Sequence, residues 1–404
     1  MMSAALCCKA PPTPEEMIGR ARDMVPEIRK LAEATERNRT ISPHIIAKIR
    51  DAELLRTCRP KEFGGFEYDA VVALEIALVI SAACASTGWT MNGALSNGIS
   101  FGHFPIEAQR ELWGGGEDPF TCACFAPTGT GVPADGGYVL SGKWSFASGC
   151  DHSSWIRLGA LITQPDAPSP PHEGAFFLLP IADVEIVDNW FVCGLSGTGS
   201  KDIVVREAFV PQHRVLRFAE TRSGRTPGAQ YHENPLYRLP LLVSGATMLA
   251  STAVGAARGA LDAYLEMTAG RKTRGALAGG GMAMAEFATV QLRFAEASAA
   301  LETAEMILLT DLRNAMQKLR AGEEITVADR IRCRRNQAYA TKLALAAVEA
   351  LNASTGGYGL FLDNPVQRAW RDVNAVARHV SLNWDAVGTM YGQHAFGLEP
   401  RGQY

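Results

Sequence analysis

Several features that would assign this chain to common functional classes are missing from its sequence. Lys and Arg total 39 against 42 Asp and Glu, a formal net charge of -3, so no basic field exists to attract nucleic acid or anionic lipid. The nine cysteines among the 404 residues form no C-x-x-C pair, which argues against the common zinc and dithiol redox motifs. We therefore expect a cytoplasmic protein with reduced thiols, no metal site and no nucleic-acid partner.

Long uninterrupted hydrophobic runs are also missing. The most apolar stretches, residues 71–90 and 239–257, are broken by polar side chains such as Glu75 and Ser244 and lack flanking basic residues. The N-terminal residues show no export signal, and we expect a frayed tail there and no membrane association. No G-x-G-x-x-G follows a predicted strand, so no nicotinamide-binding domain is indicated.

What is present divides the chain into three zones, beginning with a helical domain over residues 1–118. Thr13-Pro14-Glu15-Glu16 is a capping box with proline at the first helical position, and Ser42-Pro43 opens a second predicted helix. Residues 59–68 (RPKEFGGFEY) predict a turn, and an apolar helix is predicted from Asp69 to Ala85.

The second zone, residues 119–225, predicts an antiparallel β domain. Short β-branched and aromatic runs such as GGYVLSGKWSF and GAFFLLPI alternate with Gly-rich turns. Residues 164–173 (QPDAPSPPHE) predict a Pro-rich hairpin loop, and residues 219–235 predict a polar connection on the solvent side.

The third zone, residues 226–404, predicts a helical bundle. Helices are expected over 239–269, 285–321 and 326–354, the last opened by a capping box at Thr326. In the middle helix the apolar residues recur at steps of three and four from Phe287 to Leu308, which indicates one buried face. The predicted fold class is therefore α+β, with a central antiparallel β domain between two helical ones.

Three motifs in this order resemble the acyl-CoA dehydrogenase family over nearly the whole chain. Residues 142–155 (GKWSFASGCDHSSW) resemble the segment that lines the flavin in that family. Residues 194–200 (GLSGTGS), followed by Phe209-Val210-Pro211, resemble its second β-domain motif, and residues 356–359 (GGYG) with Arg371-Asp372 resemble its C-terminal signature. The resemblance implies a flavoprotein of that fold.

The residues at the catalytic place indicate which branch of the family the chain resembles. No Asp or Glu occurs between Asp372 and Asp385, where acyl-CoA dehydrogenases carry their catalytic carboxylate. Instead His379 is followed by Leu382-Asn383-Trp384, similar to the two-component flavin monooxygenases that hydroxylate hydroxyphenylacetate, secosteroid phenols and naphthocyclinone-type aromatics. This resemblance implies reduced flavin (FADH2 or FMNH2) and O2 as reactants, a C4a-hydroperoxyflavin as oxidant, and a separate NAD(P)H:flavin reductase as partner.

The resemblance also assigns roles to residues near the flavin. It implies that Ser148 contacts N5 of the flavin, that Phe146 and Trp144 bind the cofactor, and that His379, with a pKa near neutrality, takes or shares the proton of a phenol. It further implies that Arg271, Gly356 and Gly357 bind the cofactor across a subunit interface, in a homotetramer.

Each assignment has a structural alternative. Ser148 could be a turn serine before a glycine, and His379 a polar residue at a helix interface. Trp89, Asn92 and His103 are candidates for the substrate pocket. Trp89 could equally be core packing, and for His103 we favour a surface position flanking a helix.

The sequence therefore predicts an oxygenase component that hydroxylates a small aromatic or polyketide-like substrate. Three alternatives stay open: an acyl-CoA dehydrogenase or oxidase, an N- or S-oxygenase on the same fold, and a flavin-binding subunit without turnover. The choice between FMN and FAD and the identity of the substrate also stay open.

Overall fold

The structure is a computed structural model that describes residues 10–116, 118–163, 173–272 and 281–404. Over these ranges a group of helices precedes a seven-stranded sheet, and a second group of helices follows it. This order confirms the predicted α+β fold class.

The first helical group packs into the main apolar core. Its helices are α1 (Pro14–Asn38), α2 (Pro43–Asp51), α3 (Ala70–Ala83), α4 (Ala85–Phe101) and α5 (Ile106–Trp113). The capping box at Thr13 is confirmed, because its hydroxyl accepts from the backbone N–H of Glu16 while the Glu16 carboxylate accepts from the N–H of Thr13. The extended backbone of Cys84, at φ -160°, separates α3 from α4 and so sets the direction of α4.

The sheet is mixed, with the strand order β5-β6-β2-β1-β3-β4-β7. Its strands are β1 (Thr121–Ala134), β2 (Gly137–Ala147), β3 (Trp155–Ile162), β4 (Glu173–Pro180), β5 (Glu185–Val187), β6 (Lys201–Pro211) and β7 (Val215–Arg217). The expectation of an antiparallel domain is wrong for one pair, since β1 and β3 run parallel, with Thr121 opposite Trp155. The hairpin β1–β2 returns the chain to the start of β1, and a short turn then carries it to the other edge of β1. Residues 164–172 of the predicted hairpin loop lie outside the described residues.

The second helical group contains the three long helices that the sequence predicted. Its helices are α6 (Phe218–Ser223), α7 (Pro227–Tyr231), α8 (Leu241–Ala269), α9 (Ala288–Arg320), α10 (Val327–Ser354), α11 (Pro365–Ala377) and α12 (Trp384–Ala395). α8 is long and apolar enough to cross a membrane by length and composition alone, but most of its apolar window is buried inside the protein, as in a core helix. The predicted buried face of α9 is confirmed, because Val290, Leu301 and Leu308 are buried.

The connection over residues 219–235 does not lie wholly on the solvent side, so that expectation is wrong in part. Thr226 is 0% exposed and Ala229 is 5% exposed. Thr226 caps α7 by accepting from the N–H of Ala229, and the segment covers the end of α4. Polar composition misled the prediction because the polar groups bond to each other and to buried neighbours.

An apolar cluster joins the sheet to both helical groups. Phe101 and Trp113 of the first group pack with Phe176 of β4 and with Leu241 at the start of α8. This contact holds α4, the sheet and α8 together. Trp89 lies on α4, Ser148 follows β2, and His379 follows α11.

Candidate active site

Trp89 joins two of the residues that the sequence singled out. Its indole N–H donates to Oγ of Ser148 over 2.9 Å, and its ring meets the imidazole of His379 edge-on at 5.6 Å between centroids. Trp89 lies on α4, Ser148 follows the end of β2, and His379 follows the end of α11. The fold therefore brings three distant segments of the chain into one cluster.

Ser148 continues this cluster into the β domain through two further hydroxyls. Its Oγ lies 2.7 Å from Oγ of Ser200, which lies 2.6 Å from Oγ1 of Thr198. Thr198 donates to the carbonyl oxygen of Leu195 over 2.8 Å. Thr198 and Ser200 are buried and Ser148 is partly buried. Of these three hydroxyls, that of Ser148 is therefore the accessible one.

His379 is held in one orientation by the backbone beside it. Its Nδ1 accepts the N–H of Ser381 at 3.2 Å, so the proton of the neutral ring belongs on Nε2. Burial and, to a smaller extent, the positive charge of Arg334 lower the pKa of His379 to about 4. The expectation of a pKa near neutrality is therefore wrong, and at neutral pH the ring is an uncharged hydrogen-bond donor through Nε2.

The loop that carries Thr198 and Ser200 is anchored by the pair Arg371-Asp372 on α11. The carboxylate of Asp372 accepts the N–H of Leu195 over 2.6 Å, and Arg371 donates to the carbonyl oxygen of Cys193 over 2.7 Å. Leu195 has a left-handed φ of 55°, a backbone conformation that residues other than glycine rarely adopt. The hydrogen bond from its N–H to Asp372 supports this conformation. Burial raises the pKa of Asp372 to about 6.

Phe146 and Trp144, both expected to bind the cofactor, point in different directions. Phe146 is 67% exposed, has a φ of 70°, and meets the ring of Trp190 edge-on at 5.9 Å. Trp144 is 1% exposed in the core of the sheet and donates its indole N–H to the carbonyl oxygen of Gly159. Phe146 thus presents a free aromatic face close to Ser148 in sequence, whereas Trp144 packs inside the β domain.

The two segments expected to hold the phosphate end of the cofactor lie together. Arg271 donates to the carbonyl oxygen of Thr355 over 3.0 Å, and its guanidinium stacks over the ring of Tyr358 at 4.1 Å. Gly356 has a φ of 62°, which favours glycine there. Gly357 is the next residue, so Arg271, Gly356 and Gly357 form one local group. Residues 279 and 280 of the nearby glycine run lie outside the described residues.

Asn92 and His103 are fixed in the interior. Asn92 is 0% exposed and donates to the carbonyl oxygen of Met248 and to Oγ1 of Thr252, which joins α4 to α8. His103 is also 0% exposed, so the expected surface position is wrong; its Nδ1 lies 3.0 Å from Oγ1 of Thr226. Burial lowers the pKa of His103 to about 4.

Sequence reasoning missed three residues of the site: Thr198, Ser200 and Asp372. The first two lie in the GLSGTGS motif and the third in the Arg-Asp pair, so both motifs were recognised without a role for these side chains. A hydroxyl at every second position of a Gly-rich loop was the available signal.

The residues of this site fit a bound flavin. The partly buried hydroxyl of Ser148 has the small polar form that the ring nitrogen of a flavin can meet, and the exposed ring of Phe146 can pack on an aromatic cofactor. The guanidinium of Arg271 and the nearby Gly-rich backbone suit a phosphate.

Comparison with known proteins places the chain among flavin-dependent oxygenases. Family models for the acyl-CoA dehydrogenase N-terminal and C-terminal domains match residues 12–114 and 247–384. The FADH2-dependent resorcinol hydroxylase, oxygenase component, of Rhizobium sp. is 46% identical over 96% of both chains.

Solved structures of related oxygenases are also similar to this chain over nearly its whole length. The 3-HSA hydroxylase of Rhodococcus sp. RHA1 superposes with a TM-score of 0.91 and 33% identity over 96% of this chain and 98% of that one. XiaF of Streptomyces sp., in complex with FADH2 and glycerol, superposes with a TM-score of 0.89 and 27% identity over 96% and 97%. This chain belongs to the acyl-CoA dehydrogenase family, on its branch of flavin-dependent monooxygenases.

Proposed function

We propose that this protein is the oxygenase component of a two-component system and hydroxylates a small phenol with reduced flavin and O2. The observation that supports it best is the contiguous group of His379, Trp89 and Ser148. A hydroxyl for the flavin and an imidazole for the substrate thus lie on two sides of one indole. When bound, reduced flavin supplies the electrons that activate O2.

His379 is the proposed substrate contact. Since Nδ1 is occupied by the N–H of Ser381, Nε2–H is the group available to a phenolic oxygen. Donation from a neutral imidazole stabilises negative charge as it builds on that oxygen, which makes the ring carbons of the substrate more nucleophilic. The pKa of about 4 disfavours a role as a full proton acceptor.

The relative that shares 46% identity is named for resorcinol, and this supports a substrate class for the chain. We propose a phenol of similar size, bearing one or two ring hydroxyls. The ring of Trp89, which lies beside His379, supports an aromatic guest. A pocket role for Trp89, Asn92 or His103 stays a prediction.

FAD is the proposed cofactor, since FADH2 stands in the names of two relatives. Arg271, Gly356 and Gly357 are proposed to hold its phosphate end, with a neighbouring subunit completing the site in a homotetramer. The loop after Gly357 supports such an interface, because Leu360, Phe361 and Leu362 are 82%, 61% and 70% exposed. Phe146 is proposed to pack on the flavin ring system. Trp144, which lies on the same strand β2, is proposed to support the part of the strand that carries Phe146.

A separate NAD(P)H:flavin reductase is the proposed partner. The sequence contains no nicotinamide-binding motif, and the resorcinol relative is named as an oxygenase component. We propose that both proteins work in the cytoplasm, where reduced nicotinamide is present.

The test is turnover with purified components. The protein is mixed with a flavin reductase, NADH, FAD and resorcinol in air, and the hydroxylated product and hydrogen peroxide are quantified. Product that depends on this protein supports the proposal. NADH consumption that yields only peroxide with every phenol tested, together with reduction of bound flavin by an acyl-CoA, would favour the dehydrogenase alternative.

A further inference from the structure

The hydroxyls of Ser148, Ser200 and Thr198 form a chain that ends on a carbonyl oxygen. Its three contacts are 2.7 Å between Ser148 and Ser200, 2.6 Å between Ser200 and Thr198, and 2.8 Å from Thr198 to Leu195 O. Two oxygens at such distances need one hydrogen between them, because otherwise their lone pairs repel. The chain therefore requires three hydrogens.

The hydrogens can be assigned by counting. A carbonyl oxygen has none to give, so the hydrogen between Thr198 and Leu195 belongs to Thr198. Because the only hydroxyl hydrogen of Thr198 is donated to Leu195, Ser200 must donate to Thr198. The hydroxyl hydrogen of Ser200 is then also in use, so Ser148 donates to Ser200. Both inner hydroxyls are buried, at 2% and 4% exposure, so bulk water does not alter the count.

Ser148 is left as an acceptor. Its hydrogen points inward to Ser200, and one of its two lone pairs receives the N–H of Trp89. One lone pair remains for a ligand. We infer that Thr198 and Ser200 are positioning residues that fix Ser148 as a hydrogen-bond acceptor, which makes the site selective for reduced over oxidised flavin.

The selectivity follows from the state of the flavin N5 atom and rests on the proposed function, in which N5 meets Ser148. In reduced flavin N5 carries a hydrogen and can donate to the remaining lone pair of Ser148. In oxidised flavin N5 is itself an acceptor, so two lone pairs face each other and oxidised flavin is bound less tightly. An oxygenase that takes reduced flavin from a reductase and returns oxidised flavin gains from this difference.

The experiment measures, under anaerobic conditions, the dissociation constants of oxidised and of reduced FAD. It compares the native protein with four variants: Ser200→Ala, Thr198→Val, Thr198→Ser and Ser148→Ala. In Ser200→Ala the Ser148 hydrogen loses its acceptor and can turn outward to oxidised N5. In Thr198→Val the Ser200 hydrogen turns back to Ser148, with the same result. We expect both to lower the preference for reduced FAD by roughly threefold to tenfold, the effect of one hydrogen bond, through tighter binding of oxidised FAD.

Thr198→Ser is the matched control, because it keeps the hydroxyl that donates to Leu195 and should keep the native preference. The inference is overturned if Ser200→Ala and Thr198→Val retain the native preference, or if Thr198→Ser loses it equally. Where Ser200→Ala fails to fold, the pair of substitutions at Thr198 decides the question; where Thr198→Val fails, Ser200→Ala decides it.

Ser148→Ala separates this inference from the proposed function. It should weaken binding of reduced FAD, since the acceptor is lost. If it leaves the affinities for both forms of FAD unchanged, the flavin does not meet Ser148 and the proposed site is wrong. If it weakens binding of reduced FAD while Ser200→Ala changes nothing, the site stands and the directed hydroxyl chain is overturned.

Discussion

The indole nitrogen of Trp89 lies 2.9 Å from Oγ of Ser148, and the same ring packs edge-on against the imidazole of His379. One side chain of α4 thus fixes the distance between the hydroxyl proposed for the flavin and the imidazole proposed for the substrate. A partly buried indole has few rotamers to choose from, so it acts as a rigid spacer between them.

Trp89→Phe should keep the ring packing and lose the N–H that Ser148 accepts. Ser148 then has two free lone pairs and a less defined orientation, so reduced flavin is held less well at N5. We expect the fraction of NADH lost to hydrogen peroxide to rise by roughly threefold to tenfold, as for loss of one hydrogen bond. The measurement is the ratio of peroxide to hydroxylated product.

Asp372 should act through the loop that it anchors. Asp372→Ala leaves the N–H of Leu195 without its acceptor, which should cost about 1–3 kcal/mol of stability and weaken reduced-FAD binding. Asp372→Asn keeps an acceptor oxygen and removes a buried charge, so it should bind reduced FAD almost as the native protein does. Thermal melts and flavin titrations of both variants check this, and equal loss of binding in the two would show that the charge itself is needed.

Mild acid should destabilise the protein through buried histidines. The pKa of His103 falls to about 4 on folding, against 6.5 for an exposed histidine. As pH falls through this window the unfolded chain takes up the proton first, so stability is full above 6.5 and is lost progressively down to 4. At a pH of about 5 this costs about 2 kcal/mol for His103 alone.

Melting temperatures of the native protein and of His103→Gln between about pH 7 and about pH 5 test this expectation. The variant should lose less stability over the interval than the native protein. Parallel curves would mean that His103 is not buried in its neutral form.

Arg157 is a buried cation, and its removal should not weaken the fold. It is 1% exposed, its Nε and Nη1 have no hydrogen-bond partner among the described residues, and burial lowers its pKa to about 9. The rings of Phe101, Phe125 and Phe176 surround it. Arg157→Met should therefore hold or raise the free energy of unfolding, by up to about 1 kcal/mol, because a buried ion is replaced by an apolar side chain.

Arg334→Met is the matched control for this prediction. Arg334 is also buried, at 4% exposure, but it donates to Oε1 of Gln337 over 2.8 Å and to the carbonyl oxygen of Gln403. Its loss should cost about 1–3 kcal/mol by denaturant unfolding. Equal losses in the two variants would contradict the prediction and show that the three phenyl rings around Arg157 stabilise its charge.

The sequence singled out Ser148 and His379, which the structure brings into one cluster with Trp89, but it did not predict how they are arranged. Ser148 and His379 follow from motifs, since each is read from its neighbours in the chain. The chain Ser148-Ser200-Thr198 could not be predicted, because the relative positions of β2 and the loop before β6 depend on the register of the sheet. The sequence also left Trp89 open between core packing and the substrate pocket, because its neighbours are distant in the chain. In the structure Trp89 packs against the main apolar core and also contacts Ser148 and His379.

The errors also have physical causes. His103 lies at the end of α4 and was expected at the surface, but the segment around Thr226 covers it, and polar residues in a connection give no sign of such burial. The pKa of His379 was expected near neutrality because an exposed histidine has that value. Desolvation in the folded chain lowers it, and desolvation depends on elements distant in sequence.

The most direct test of the central claim is the fate of O2. The protein, a flavin reductase, NADH, FAD and resorcinol are incubated under O2 labelled with the heavy oxygen isotope, and the product is analysed by mass spectrometry. We expect one labelled oxygen atom in each hydroxylated product molecule, and much less product with more peroxide for Ser148→Ala. Product without the label, or label found only in peroxide and water, would contradict this expectation.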